Sequence, residues 1–313
     1  MVVKVHLTST ILITTKDRKN ELRRALESAL VQRDLHEILV FDDGSTDGTS
    51  EMVCREFPQV RCVREEQSLG IVRARNHAIS LASGEIVLII DDDCVFQSQN
   101  TLAQTLKDFE EPYIAAVAIP HINVNSSPRI YSHPPSKNGV FVISEFIGAS
   151  CAIRRDLFLS LGGFNAALWR QCEEYDFCTR LLDRGYTVRC GTADPVLHFE
   201  SPKRNRSEIL KHSIRGHMLY AWNNVPWPFF SIHLLATTMK TIMATFREGY
   251  WSTAIEGFAA GMSAIWGARS SRMAVSRKAY RTIRFLRKHG PVPSDSPRLL
   301  IRKARPESAA AAE

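Results

Sequence analysis

Short apolar runs alternate with amphipathic stretches through the first hundred residues. The runs Leu7–Thr14, Glu37–Phe41, Arg61–Arg64 and Glu85–Ile90 have strand length and are bounded by turn residues. Between them, Asn20–Val31, Thr49–Glu56 and Val72–Leu81 carry helical periodicity. Strands alternating with helices of this size predict crossover connections, and so an α/β fold whose mainly parallel sheet is covered by helices on both faces. In open sheets of this kind, ligands sit beyond the carboxyl ends of the strands. The residues that follow each run are therefore where chemistry is expected.

Further along the pattern loosens. From Ala115 to Val142 the chain is polar and broken by prolines, which predicts a surface loop or short strands. The run 146–153 reads as another strand, followed by a helix from Arg155 to Leu161 closed by Gly162–Gly163. The segment C-E-E-Y-D-F-C-T-R-L-L-D-R-G-Y (172–186) opens a helix with Glu173, Glu174 and Asp176 in its first turn, where the helix dipole favours anions. Residues three apart share a helix face, which pairs Glu173 with Asp176 and sends Glu174 elsewhere. Beyond His198 the chain becomes helical until Gly290–Pro291–Val292–Pro293, and the alanine-rich remainder is expected to be disordered.

Composition narrows the class. With 44% hydrophobic and 23% charged residues the 313-residue chain is globular, which excludes a collagen-like, wholly disordered or polytopic membrane protein. Its net charge of +7 raises nucleic acid or anionic lipid as partners. That charge is local: Arg269–Glu313 holds 12 Lys+Arg against 3 Asp+Glu, so the preceding 268 residues are slightly acidic. Nucleic acid is not expected, because the basic segment lacks an aromatic-rich binding motif. Within R-K-A-Y-R-T-I-R-F-L-R-K (277–288), Arg277, Arg281, Arg284 and Lys288 follow helical spacing, and Tyr280 and Ile283 offer apolar contacts, a pattern suited to an anionic membrane surface or else to a solvated helix. Seven cysteines without a C-x-x-C pair suggest free thiols in a reducing cytoplasm. The apolar N-terminus reads as a strand, having no cleavage site of the signal-peptide kind. The run after Pro228 is too short to span a bilayer.

The expected rim is acidic. The first strand runs into T-T-K-D-R (14–18), the second into D-D-G-S-T-D-G-T (42–49) and the fourth into D-D-D (91–93). Pooled carboxylates repel one another unless a cation or hydrogen-bonding ligand offsets them. Hard Mg²⁺ or Mn²⁺ with a diphosphate completing its shell would do so. In extended geometry Asp91 and Asp93 share a side and Asp92 faces the other. Asp42 or Asp43 can accept from a nucleobase imide or ribose hydroxyl, while the same loop equally suits a helix cap on a tight glycine turn. His198 is a candidate ligand or a packing residue, and Lys203, Arg204 and Arg206 are a candidate phosphate clamp or a solvated charge run. Trp169, Trp222 and Trp227 can stack on sugar rings or pack in the interior.

Taken in order, T-T-K-D-R, D-D-G-S-T-D-G-T, G-I-V-R-A-R-N-H-A (70–78), D-D-D, G-G-F-N (162–165), E-E-Y-D-F-C-T-R-L-L-D-R-G-Y and V-L-H-F resemble the family 2 glycosyltransferases over about residues 7–200. The resemblance implies a GT-A fold, a nucleotide-diphosphate sugar donor, Mg²⁺ or Mn²⁺, a glycan or lipid-linked acceptor and inversion at the anomeric carbon. It implies a catalytic domain over 1–205, with a nucleotide-sugar half to about residue 95 and an acceptor half after it. A helical region over 206–290 and a tail over 291–313 follow. By resemblance Thr14, Lys16, Asp43 and Asp42 serve the nucleotide, Arg73 and Arg75 approach the diphosphate, and Asp92 lies near the sugar or ribose. Asp91, Asp93 and His198 hold the metal. Glu174 is the general base, at the second position of Glu173–Glu174 where the family carries Glu-Asp, and Asp176 is a second candidate. Rival classes are a nucleotidyltransferase, though T-T-K-D-R lacks the glycines of such a loop, and a non-enzymatic binding protein.

Overall fold

In a computed structural model, residues 7–136, 138–200, 205–297 and 299 are described. The first seven elements are β1 (Ser9–Thr15), α1 (Lys19–Ala29), β2 (Glu37–Asp42), α2 (Thr49–Glu56), β3 (Arg61–Arg64), α3 (Ile71–Leu81) and β4 (Ile86–Asp91). Every residue of β1 is buried, as its unbroken run S-T-I-L-I-T-T requires of a strand covered on both faces. Helix α1 buries Leu22, Ala25, Leu26 and Ala29, a stripe at helical spacing that seals one face of the sheet. β1 lies between β2 and β4, parallel to both, with Thr15 level with Asp42 and Thr14 level with Asp91. The three acidic or polar strand ends thus meet at one rim.

The chain continues through β5 (Cys94–Phe96), α4 (Thr101–Lys107), β6 (Ile114–Ala118), β7 (His121–Asn123), β8 (Ser127–Tyr131), β9 (Phe141–Ile143), β10 (Ser150–Arg154), α5 (Arg155–Ser160), α6 (Glu173–Asp183), β11 (Thr187–Cys190) and β12 (Val196–His198). Four helices follow, α7 (Arg206–Asn224), α8 (Phe230–Arg247), α9 (Trp251–Gly267) and α10 (Arg277–His289), before a short β13 (Val292–Pro293). The main sheet has the order β13-β9-β11-β6-β10-β4-β1-β2-β3, and β5-β12-β7-β8 form a second, smaller sheet. The region 115–142, expected to be a surface loop or short strands, holds short strands, and one of them, β6, lies in the middle of the main sheet, between antiparallel β10 and parallel β11. The strand expected over 146–153 begins only at Ser150, and Ile147–Ala149 instead line the rim.

Separate apolar cores fill the two faces of the sheet, and a third joins α6, α7 and α10 to β9. This third core corrects the expectation for α10. Tyr280 and Ile283 do not face a membrane; they are buried with Ala279 and Leu286, while the basic stripe of Arg277, Arg281, Arg284 and Lys288 stays exposed beside Lys278, Arg287 and His289. Ile283→Ala is therefore expected to destabilise the fold by about 2–4 kcal/mol, the cost of a cavity rather than of a solvated position. Chemical denaturation with an unchanged slope would measure it. Among the described residues, no helix is long and apolar enough to cross a membrane.

Candidate active site

The rim opens into a cleft of about 580 Å³ between the strand ends of β1, β2 and β4 and the N-terminus of α6. Thr14, Lys16, Asp43, Arg75, Asp91, Asp92, Glu173, Glu174 and His198 of the sequence-derived set all line it. Asp42, Arg73, Asp93 and Asp176 do not, Asp93 lying buried just behind Asp92 and His198. Asp42 is buried, accepting from the Ser45 N–H at 2.8 Å and from the Ser50 hydroxyl, so it caps its own turn. Its neighbour on a strand points to the opposite side, and that neighbour, Asp43, is the one at the cleft. Arg73 is exposed on the outer face of α3. Asp176 is buried, held by Arg180 Nε at 2.9 Å and Asn224 Nδ2 at 2.7 Å, and so ties α6 to α7. Lys203 and Arg204 lie outside the described residues, and Arg206 is paired with Glu248.

Asp43 carries three donors, from Ser68 Oγ and the Leu69 N–H at 2.6 Å each and the Gly70 N–H at 3.1 Å. It draws the 68–70 loop against the rim. Trp169 covers the same loop: a Cβ on Gly70 would lie 3.5 Å from its ring. Trp222 instead packs edge-on against Phe230, and Trp227 does likewise from an exposed position.

At the end of β4 the three aspartates do not alternate, because the chain turns immediately after Asp91. Asp91 pairs with Arg75 at 2.6 Å. Asp92 and Asp93 share Arg18, at 3.1 and 2.9 Å. Burial lifts Asp92 to about 7, against the pull of Arg18 and of the Thr15 hydroxyl at 2.8 Å. Asp93 is also buried, but His198 and Arg18 outweigh that burial and hold it below its ordinary range. The antiparallel pairing of β12 with β5 sets His198 opposite Cys94, which brings its Nε2 to 3.2 Å from Asp93. Ligand atoms of Asp93, Cys94 and His198 lie within 4.8 Å of one another. A hard divalent ion prefers carboxylate oxygen and imidazole nitrogen to sulfur, so Asp93 and His198 are the donors of this group fit for one, with Asp91 and Asp92 beside them.

Across the cleft, Glu173 and Glu174 begin α6. The preceding loop reaches them through Trp169, Gln171 and Cys172, all at positive φ without being glycine, a strained approach of the kind that collects at functional sites. Glu174 Oε1 accepts from the Gly148 N–H at 3.1 Å and lies 3.8 Å from Arg75 Nη1. Burial raises the Glu174 carboxyl, and Arg75 opposes that rise. A Cβ on Gly148 would sit 2.4 Å from both Arg75 Nη1 and Glu174 Oε1, so any side chain there would displace that pair. Arg75 itself is buried and kept charged by Asp91 and Glu174 despite the cost of burial. It thus spans the two sides of the cleft. The sequence pointed to Trp169 in the loop before α6 but not to Gln171, nor to Arg18 or Gly148, of which only the Arg of T-T-K-D-R left a visible signal.

Burial, with Glu174 beside it, pushes Glu173 to about 8. The folded state therefore holds a proton that the unfolded chain releases from pH about 4.5 upward, and the fold loses stability as pH rises between those two values. Glu173→Gln cannot ionise and is expected to flatten that fall. Thermal midpoints measured across the interval, wild type against variant, would show the two curves diverging toward alkaline pH.

Comparison with known proteins finds glycosyltransferases among those similar to this chain. Residues 10–161 match glycosyl transferase family 2. Over 210 residues the chain is 33% identical to the succinoglycan biosynthesis protein ExoU of Rhizobium meliloti, covering 59% of this chain and 61% of ExoU. It is 28% identical over 182 residues to an uncharacterized glycosyltransferase of Haemophilus influenzae, covering 55% of this chain and 61% of that protein. The chain thus spans about three-fifths of both relatives. Among solved structures, a mannosyltransferase from Pyrobaculum calidifontis in complex with GDP-Man and Mn²⁺ superposes with a TM-score of 0.56 at 21% identity, covering 89% of this chain and 79% of that one. S. aureus TarS 1–349 in complex with UDP-GlcNAc gives 0.61 at 15% identity, over 90% and 88%. The fold is GT-A, with a helical C-terminal region. Through residues 10–161, just under half of its length, the chain is similar to the family 2 glycosyltransferases.

Proposed function

We propose that the protein moves a sugar from a nucleotide-diphosphate sugar to a hydroxyl of a glycan or lipid-linked acceptor, with inversion, in the building of a polysaccharide. The carrying observation is the cleft's two-sidedness: Asp91, Asp92 and His198 stand on one side, with Asp93 buried behind them against His198, Glu174 stands on the other, and Arg75 bridges Asp91 and Glu174. Thr14, Lys16 and Asp43 belong with the nucleotide, in a donor half ending near residue 95, and the acceptor enters from the half that follows, to about residue 205. Glu174 takes the proton of the acceptor hydroxyl, held for it by the Gly148 N–H. The acceptor oxygen attacks the anomeric carbon from the face opposite the nucleotide, and the bond to the β-phosphate oxygen breaks as the new one forms. Arg18, Lys16 and Arg75 line the cleft where the departing diphosphate gathers negative charge. Asp93 and His198, with Asp91, would hold Mg²⁺ or Mn²⁺, which supplies further neutralisation of that charge when bound.

The relatives support this reading: two solved neighbours hold a nucleotide sugar, one of them with Mn²⁺, and ExoU is named for succinoglycan biosynthesis. Seven free thiols support a cytoplasmic setting. Calorimetric titration of the full chain with UDP-, GDP- and dTDP-sugars in Mn²⁺ tests it. One donor class is expected to bind and to lose affinity in EDTA; no binding by any of them would overturn the reading.

A further inference from the structure

Helices α8 and α9 are inside out. A helix packed on a water-soluble body turns its bulky apolar residues inward, yet α9 faces α7 with Ala254, Gly257 and Gly261. A Cβ on Gly257 would sit 3.1 Å from Ile214, and one on Gly261 2.4 Å from the Met218 sulfur, so the G-x-x-x-G spacing is what lets the two helices close. The bulky residues Ile255, Phe258, Met262 and Trp266 point outward, with Ile255 68% and Trp266 69% exposed. Helix α8 repeats the same 3-4-4 spacing with Ile232, Leu235, Met239 and Met243, and Ile232 is 74% exposed. The helices adjoin each other and both pack on α7, so the stripes form one surface. Scattered exposed apolar residues need no explanation, but two aligned stripes on neighbouring helices mark an interaction surface.

Charge identifies what covers it. The acids at its border are already engaged, Glu248 by Arg206 at 2.6 Å and Glu256 by Lys211 at 3.1 Å. Among the described residues, the border charges that remain are Lys240, Arg247 and Arg269, all basic and exposed. Arg269 lies 4.8 Å over the Trp266 ring, and Trp251 and Trp266 stand near the two ends of α9, the arrangement of amphipathic rings at a headgroup layer. A second copy would bring basic border to basic border, without the self-complementarity a two-fold contact needs. The tail 300–313 has only Leu300 and Ile301 as large apolar residues, too few to cover two stripes. Neither helix is long and apolar enough to cross a bilayer.

We infer that the α8–α9 face is an in-plane docking surface for an anionic lipid bilayer, its apolar stripes entering the acyl boundary and its basic border meeting the headgroups. This moves the membrane contact from α10, whose apolar side is spent on the core, to the preceding hairpin. The test is co-sedimentation of the full chain with phosphatidylcholine vesicles, with and without about 30% phosphatidylglycerol. Binding is expected to the anionic vesicles, weakened but not abolished by salt. Phe258→Glu with Met262→Glu, at exposed positions, is expected to cut it on the order of ten-fold or more, with unchanged circular dichroism. Absence of wild-type binding would overturn the inference, as would equal binding by the double variant. A wild-type dimer that this variant dissociates would also overturn it, assigning the face to a second copy.

Discussion

Glu174→Gln is expected to lower sugar transfer by about 10²–10⁴-fold while donor affinity stays nearly unchanged. The amide keeps the size of the side chain, and its oxygen can still accept from the Gly148 N–H. What it loses is the capacity to take a proton. The comparison that makes this specific is Asp176→Asn: Asp176 lies off the cleft, locked to Arg180 and Asn224, and its loss is expected to lower thermal stability far more than turnover per folded molecule. Steady-state rates and donor titrations on both variants separate the two. A Glu174→Gln enzyme with wild-type turnover would remove Glu174 from the mechanism.

The second large effect is expected at Asp93. Asp93→Asn retains shape but removes the charge that meets both Arg18 and His198, at 2.9 and 3.2 Å. Transfer is expected to fall by about 10²-fold or more, and the Mn²⁺ concentration giving half-maximal rate to rise with it. The rate measured against Mn²⁺ distinguishes a weakened ion site from a general loss of folding, since excess ion restores part of the first and none of the second. Chelation of the wild type should reproduce the variant's loss.

How much of this was legible beforehand differs along the chain. β1, β2 and β4 are mainly apolar runs and β3 is a short edge strand, separated by helices with a buried stripe, so their order, and α2 and β3 to the residue, follow from local pattern. β6 was not legible. Its I-A-A-V-A is short and small, and what makes it central is pairing with β10 and β11, both remote in sequence. At the site, the cluster of carboxylates was visible because like charges do not gather without a reason. Which of two adjacent aspartates faces the cleft was not, since Asp42 and Asp43 differ only in strand phase. The turn after Asp91 and the positive φ at Trp169, Gln171 and Cys172 are set by tertiary packing, and no residue there announces them. The same limit explains α10 and the α8–α9 hairpin. Periodicity shows that a helix has an apolar face, and only the fold shows whether that face meets the core, as in α10, or solvent, as in α9.

Nucleotide release is the direct signature of sugar transfer from a nucleotide-diphosphate donor. Incubating the full chain with a panel of UDP-, GDP- and dTDP-sugars, in Mn²⁺ and in EDTA, and resolving the products by chromatography reports the bond that breaks. Release of the nucleoside diphosphate from one donor class, dependent on the ion and lost in Glu174→Gln once acceptor is supplied, is the predicted result. No release from any donor, or release of pyrophosphate from a nucleoside triphosphate instead, would contradict it.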